Sequence, residues 1–462
     1  MAEIDFKEIK KAHVFLRNDC AGFLEKQAED RFIFQYDPEY LNRSESLAIA
    51  RGLKKRREPY ISKTLHPFFD NLIAEGWLLQ YTERVFHIDK SNRFALLMAT
   101  GQAPIGAVTV RPLDRDGKEI DVIAETLGDF EGEELGQYPT SQPDNFPYCT
   151  TCFKALPTDK KLHRKCVLEM WGTERPLKVE LDTNNPLSSF ARVIYGGSIS
   201  GAQKKGMFRL DPKRGLLQAT PAGAQYILKP NGDYPELPEN EHVTMAIAKA
   251  LDFTVPPFAL LKIEGLGNVF AIKRFDRTSD ETHLMMEDMG QIIQVPSTDK
   301  YESSYEKVVS AITAYSSAPQ IDISDFYRRL IFCYFIANAD MHLKNWTLVE
   351  NERALGTFKL SPCYDLLNTR LPIPGEKIEI GLKMLGKDRN LQASYFVRFG
   401  REIGLSDSKI KSVFAEVPTW LNVATDFVNR SLLKQNSKKK YLDLLRERSK
   451  ILEIDLKPAK AT

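Results

Sequence analysis

An Asp five residues ahead of an Asn, with a second Asp twenty residues after that Asn, is the arrangement in this chain best suited to chemistry. It lies in Asp340-Met-His342-Leu-Lys344-Asn345-Trp and Ser361-Pro-Cys-Tyr-Asp365-Leu. Phosphoryl transfer uses these residue types: a carboxylate receives the proton of the attacking hydroxyl, and hard oxygen ligands hold Mg2+ against the phosphates. Asp340 is the candidate base; Asn345 and Asp365 are the candidate Mg2+ ligands. Lys344 could steady a transferring phosphate electrostatically. His342 reads chiefly as a brace for the loop, with a nucleotide contact as its second reading. Asp and Asn at this spacing also occur in ordinary polar turns after buried helices, so the pair needs support from the residues ahead of it.

That support begins at Tyr195-Gly-Gly-Ser198-Ile-Ser200-Gly201-Ala202-Gln203-Lys204-Lys205-Gly206, which precedes a strand-like Met-Phe-Arg-Leu. Glycines let backbone N–H groups approach phosphate oxygens closely. No Gly-Lys-Ser/Thr follows at the Walker spacing. In Gln225-Tyr-Ile-Leu-Lys229-Pro a lysine interrupts an apolar strand; buried, it would need a partner, and on an edge strand it would simply be solvated. Glu239 and Glu241 open a helix read as His242 to Leu251. Glu239 suits the helix N-terminus, and Glu241 is the candidate partner of Lys229. Val269-Phe-Ala-Ile-Lys273-Arg274-Phe275 runs from a strand into a connection where an adenine ring could meet backbone groups. Glycine-rich loop, strand lysine, helix with Glu, hinge, Asp-x4-Asn and late Asp follow the order that protein kinases use.

The elements that must position these residues can be read along the chain. Residues 1–112 form a first unit, with strands at Val14 to Arg17, Phe32 to Tyr36 and Ile105 to Arg111, and a short amphipathic helix from His66 that stops at Gly76. Residues 113–147, acidic and rich in Gly, Pro and Ser, read as a linker. Residues 148–172 carry Cys149-x-x-Cys152 and His163-x-x-Cys166, a donor set suited to a structural Zn2+ in a closed tetrahedral site; a pair of reduced turns without metal is the alternative. Residues 173–277 and 278–455 read as a strand-rich lobe and a helical lobe. In the helical lobe Phe326, Leu330, Tyr334 and Phe335 recur at helical spacing, and a charged amphipathic helix runs from Ser437 to Leu452. The expected fold class is α+β: a two-lobed, protein-kinase-like architecture behind a small, mainly-β subdomain.

A chain of 462 residues exceeds one ordinary core, so two or more domains are expected. Lys+Arg 64 against Asp+Glu 62 leaves a net charge of +2, which gives no global case for nucleic acid or membrane. The short basic runs at Lys54 to Arg57 and Lys438 to Lys440 read as solvated faces. With no apolar leader and no uncharged membrane-length run, the cytoplasm is the expected compartment. Six cysteines fit reduced thiols better than a disulfide framework. Cys20, Cys333 and Cys363 read as small buried hydrophobes.

The strings Ser198-Ile-Ser-Gly-Ala-Gln-Lys-Lys, Phe270-Ala-Ile-Lys-Arg-Phe-Asp-Arg, Met286-Glu-Asp-Met, Asn338-Ala-Asp-Met-His-Leu-Lys-Asn and Leu360-Ser-Pro-Cys-Tyr-Asp-Leu resemble the HipA family, bacterial serine/threonine kinases that act as toxins of toxin–antitoxin pairs. The resemblance runs from about residue 10 to 455. It implies that Asp340 is the base, that Asn345 and Asp365 hold Mg2+, that Lys229 contacts ATP phosphates, and that Lys273 to Phe275 form the adenine hinge. Gly201, Ala202, Gln203 and Lys205 would cradle the nucleotide. Ser198 and Ser200 would be where the enzyme phosphorylates itself and switches off. The usual partner of such proteins is a helix-turn-helix antitoxin, through which DNA is contacted, and their targets include aminoacyl-tRNA synthetases. Two departures stand out: Asp365 is followed by Leu-Leu rather than Phe-Gly, and Lys205 by Gly206-Met. A catalytically weak, kinase-fold binding module within a repressor complex, and a small-molecule or lipid kinase, are the competing readings.

Overall fold

The computed structural model describes residues 4–123, 135–157, 162–199, 203–278, 282–373 and 375–453. Ser200, Gly201 and Ala202 lie outside them, as does the middle of the expected linker.

Alternating apolar residues build the first sheet. In β3 (Arg31–Tyr36) Phe32, Phe34 and Tyr36 turn inward, alternating with the more exposed Arg31, Ile33 and Gln35. It joins β1 (Lys11–Leu16), β2 (Asp19–Ala28), β4 (Tyr60–Ser62) and β5 (Val108–Pro112) in the antiparallel order β4-β3-β2-β1-β5. The helix expected from His66 to Gly76 is instead one turn, Pro67–Asp70, and Gly76, at φ +58°, starts the next helix, α1 (Gly76–Phe86). Tertiary bonds break the run. Asn71 donates to Pro67 O and, across the molecule, to Val295 O, both at 2.8 Å, while Asp70 accepts from the Ser297 N–H at 2.8 Å. The segment trades helical continuity for a hold on the C-terminal half.

The second sheet closes on itself. Strands β6 (Leu135–Ser141), β7 (Lys178–Asp182), β8 (Gly206–Asp211), β9 (Leu216–Ala219), β10 (Tyr226–Pro230), β11 (Phe258–Ile263) and β12 (Gly267–Lys273) run in the order β10-β12-β11-β6-β7-β9-β8, antiparallel except for β7 with β9. The linker expectation for 113–147 is therefore corrected: part of it is barrel strand β6. Its residues are mostly polar, and none of the strand is buried. It is held by backbone pairing to β7 and β11 rather than by an apolar face, so its sequence lacks the usual strand signal. Barrel interior residues such as Leu181, Phe208, Leu228 and Ala271 form their own core.

A second core runs without a break from the first sheet into the helical C-terminal region. The helix expected from Ser324 to Asn338 is α2 (Pro319–Phe335), which starts five residues earlier and ends three earlier, with Phe326, Leu330, Tyr334 and Phe335 at zero exposure. The charged tail is α3 (Gln435–Ile451), with Tyr441 and Leu445 inward. Between barrel and helical region lies the Leu237–Ala250 helix, which begins five residues before the expected His242. Residues 237–248 are all buried, yet five of them are polar or charged side chains with named partners. Glu239 accepts from Asn268, Asn240 bonds Asn368, Glu241 meets Lys229, His242 reaches Thr150 and Thr244 contacts Tyr441. A helix buried on all sides is normally apolar; this one ties its neighbours together through polar bonds. No helix among the described residues is long and apolar enough to cross a membrane.

Candidate functional site

Lys229 sits on β10, hydrogen-bonded between β8 and β12, so it is not on an edge. Its side chain is 3% exposed, and its ammonium meets two carboxylates: Glu241 Oε1 at 2.6 Å and Asp365 Oδ1 in a short contact. One cation between two anions leaves a net negative charge, and the two acids respond differently. Burial, opposed by Lys229 and reinforced by the Asp365 charge, pushes the Glu241 carboxyl up to about 7. Burial also acts on Asp365, but Lys229 and Lys205 overcome it and hold that carboxyl down at about 2. Lys229 itself is pushed downward by burial and raised on balance by its two acidic partners. Asp365 has φ +52°, a left-handed conformation that a non-glycine residue adopts at some cost. Asn338 helps fix it: its Nδ2 donates to the Asp365 carbonyl at 3.2 Å, and its Oδ1 accepts from the Asp340 N–H at 3.1 Å. One side chain thus couples the two candidate catalytic loops.

These groups open on a cavity with about 960 Å3 of empty space, its mouth included. Ile105, Ile199, Ile227, Ile272 and Met286 supply an apolar slot; Lys205, Lys229, Asn345 and Asp365 supply the polar end. Apolar walls with a few converging polar groups describe a small-molecule site. Lys205 is buried, which lowers its pKa, while Asp365 opposes the shift. Ser198 is 3% exposed and forms part of the wall. Gln203 follows, with its Nε2 buried and without a hydrogen-bond partner among the described residues.

Asp340 lies on the loop after α2 and remains half exposed. Its carboxylate accepts a short hydrogen bond from the Tyr301 hydroxyl. Asn345 donates its Nδ2 to the Asp340 carbonyl at 2.7 Å, which leaves an amide oxygen, the donor type that Mg2+ takes. The Asp365 carboxylate lines the same cavity, and an amide oxygen with a carboxylate is a donor set that fits that ion. A Cβ at Gly381 would collide with the Met341 backbone, so the loop rests directly on that glycine. His342 is buried, its Nε2 lies 3.9 Å from Asp340 Oδ1, and its ring packs edge-on against Tyr301; burial lowers it to about 4, so it is neutral at pH 7.

Two readings from sequence change in detail. Lys344 reaches the cavity wall, but its ammonium is held by Asn71 O at 2.8 Å and Glu75 Oε1 at 3.2 Å, with Asp288 Oδ2 at 3.9 Å. It is a paired cation fastening the first unit to the Asp340–Asn345 loop rather than a free one facing a phosphate. Glu75, despite burial, is pulled down to about 2 by Lys344 and Lys300. In the hinge, the Lys273 and Arg274 N–H groups already donate to Pro257 O and Gln225 O, each at 2.8 Å, and the Arg274 guanidinium pairs with Asp276. The side chain of Phe275 packs on Tyr364 at 5.5 Å. Cys20 is only half-buried, whereas Cys333 and Cys363 are buried as expected.

Sequence reading missed Asn338, Asn240, Asp288, Glu75 and Tyr301. Asp288 and Asn338 stand inside the strings quoted above, and Asn240 adjoins Glu241. Glu75 and Tyr301 come from distant segments with no local signal. On the far side of the Leu237–Ala250 helix, Cys149, Cys152, His163 and Cys166 bring their donor atoms within 4.8 Å of one another, as the spacing predicted.

Comparison with known proteins follows this geometry. Residues 12–111 match the HipA N-terminal domain and residues 197–423 the HipA-like C-terminal domain. A Sinorhizobium fredii protein called "Putative kinase Y4dM" is 28% identical over 79% of this chain and 78% of its own length. A Haemophilus influenzae protein called "Putative kinase" is 32% identical over 46% of this chain and 69% of its own. The HipA, HipB and operator DNA complex of Shewanella oneidensis contains a chain that superposes with a TM-score of 0.66 at 17% identity, covering 95% of this chain and 96% of that one. The shared fold is mixed α and β, β-rich toward the N-terminus and helical toward the C-terminus.

Proposed function

Because the chain belongs to the HipA family, we propose that it is an ATP-dependent kinase that transfers the γ-phosphate to a serine or threonine of a protein. The observation that carries this reading is the meeting of Lys229, Glu241 and Asp365 at one end of an apolar cavity that Asn345 also lines. Asn345 and Asp365 would hold Mg2+, which neutralises phosphate charge when bound. Lys229, kept charged by its two acids, is placed to orient the phosphates. The isoleucine-lined slot takes the adenine and excludes water. Asp340, half exposed on the loop that leads to Asn345 and not itself among the residues lining the cavity, accepts the proton of the attacking hydroxyl.

Ser198, or its neighbour Ser200, is the proposed site of self-inactivation. Ser198 forms part of the cavity wall, and a phosphoserine there adds nearly two negative charges beside Asp365. Repulsion would drive the loop out and the nucleotide with it. The solved relative was captured with HipB and operator DNA. For this chain we propose an equivalent helix-turn-helix antitoxin that supplies most of the DNA contact, since a net charge of +2 gives the chain little field of its own. An aminoacyl-tRNA synthetase is the proposed class of target and the cytoplasm the proposed compartment.

Incubation with labelled Mg·ATP, followed by phospho-amino-acid analysis, tests the reading. Wild type should yield phosphoserine or phosphothreonine, and Asp340→Asn should transfer roughly 10²–10⁴-fold more slowly, as loss of a positioned base does. Transfer at the wild-type rate in that variant would remove the assignment.

A further inference from the structure

We propose that Cys149, Cys152, His163 and Cys166 bind one structural Zn2+, and that the knuckle this ion closes fastens the helix carrying Glu241. The donors come from a tight turn and a helix. Cys149 N–H donates to Lys154 O at 2.9 Å and Phe153 N–H returns to Cys149 O at 2.8 Å, so both thiols of the first pair lie on one hairpin. Cys166 comes from the helix Arg164–Trp171, and His163 is the residue that caps it. Tetrahedral Zn–S bonds of about 2.3 Å put sulfurs about 3.8 Å apart, and all four donor atoms here already lie within 4.8 Å of one another. His163 Nε2 lies 3.2 Å from Ala155 O and Nδ1 lies 3.3 Å from Cys152 Sγ. A carbonyl taking the Nε2 proton leaves the Nδ1 lone pair for a metal, the usual outer-sphere arrangement of a zinc-bound histidine. Three thiolates and an imidazole select a soft, tetrahedral ion. Four protein ligands leave no open position, so the site is structural rather than catalytic.

The knuckle meets the Leu237–Ala250 helix chiefly at His242, and Lys249 of that helix lies 3.8 Å from Glu169 of the helix that carries Cys166. Thr150, between the two cysteines of the hairpin, accepts a 2.6 Å hydrogen bond from His242 Nε2, and His242 follows Glu241 directly. Phe153 has φ +56°, a left-handed conformation that more often falls to glycine. Its ring is gripped between His242 at 5.0 Å and Phe427 at 4.9 Å, and Arg430 donates to its carbonyl at 3.0 Å. Packing therefore compensates the strained turn, and the metal would lock it. A change in the knuckle is passed to the residue next to the Lys229 partner. The second half of this inference rests on the kinase reading; the first half does not.

Elemental analysis of the purified full chain should find one zinc per chain in wild type and in Cys20→Ser, and none in Cys149→Ser/Cys152→Ser. Should that variant fail to fold, wild type answers alone. A chelator should remove the zinc, expose the thiols of Cys149, Cys152 and Cys166 to a thiol reagent, and speed hydrogen exchange in residues 237–250; added zinc should reverse all three. Wild type without zinc, iron in its place, equal zinc in the cysteine variant, or a Cys149–Cys152 disulfide detected by intact mass would overturn the site. Unchanged exchange in 237–250 after zinc removal would overturn the fastening. Asp340→Asn should keep its zinc whether or not it transfers phosphate, which separates failure of this proposal from failure of the kinase reading.

Discussion

Glu241 and His242 are chain neighbours that face two different worlds. Successive residues on a helix point about 100° apart, and here one ends among charges and the other against a turn of soft donors. Glu241 enters a cluster of Lys229 and Asp365 whose order depends on protons and on what fills the cavity. His242 grips Thr150 in a hairpin held by backbone bonds, aromatic packing and a set of metal-type ligands. The comparison teaches how a kinase-like site can hold its acidic helix in place: a labile electrostatic contact on one side is backed by a stiff mechanical one on the other.

The comparison breaks hardest at Lys229. Lys229→Met strands two carboxylates, and removing one partner of a buried pair costs roughly 3–5 kcal/mol. Asp365 keeps 27% side-chain exposure, so the loss should fall near the lower end, about 3 kcal/mol. Denaturant unfolding checks this; a change within experimental scatter would mean the cluster is not a folded-state constraint. His242→Ala removes the stiff contact instead. Losing a buried hydrogen bond and leaving the Thr150 carbonyl unpaired should cost about 1–3 kcal/mol, with nucleotide affinity reduced although no residue of the cavity has changed. Unaltered affinity at reduced stability would show that the two sides of the helix are uncoupled.

Protons should act on the labile side. Glu241 is raised from 4.5 to about 7 in the folded protein. The fold therefore binds this proton more tightly than the unfolded chain does, and that stabilisation, complete below about pH 4.5, is lost as pH rises through 7. Asp365 behaves oppositely: its contribution is present above pH 3.8 and lost as pH falls toward 2. Subtracting the stability curve of Glu241→Gln from that of wild type should give a difference that declines between pH 4.5 and 7 and is flat above. A difference rising with pH would reverse the assignment. The smallest effect is expected at Tyr301. Tyr301 donates to the Asp340 carboxylate and, with Asp340 as the proposed base, would compete with a substrate hydroxyl, so Tyr301→Phe should raise kcat/KM roughly two- to tenfold, the worth of one net hydrogen bond; a fall in rate would make Tyr301 an aid to the base.

What the sequence shows and hides follows the same division. Lys229, Asn345 and Asp365, which the fold brings to one cavity, could be singled out in the sequence, with Asp340, because phosphoryl transfer demands particular residue types in a particular chain order. The Cys/His cluster is legible because metal ligands come in short pairs. The pairing of Lys344 is hidden because its partners, Asn71 and Glu75, lie some 270 positions away. Strand β6 has the composition of a linker because it is held by backbone pairing without an apolar face. The broken helix at Asn71 has the same origin: local propensity gave way to bonds with Val295 and Ser297. Long-range polar contacts leave no periodicity to read.

The central claim, that the cavity beside Lys229 and Asp365 is a Mg·ATP site, is tested most directly by calorimetric titration of the full chain with Mg·ATP. Wild type should bind with one-to-one stoichiometry, and binding should weaken sharply when Mg2+ is chelated and when Lys229 is replaced by Met in protein shown to be folded. Binding of equal strength in that variant, or none by wild type at millimolar nucleotide, would contradict it.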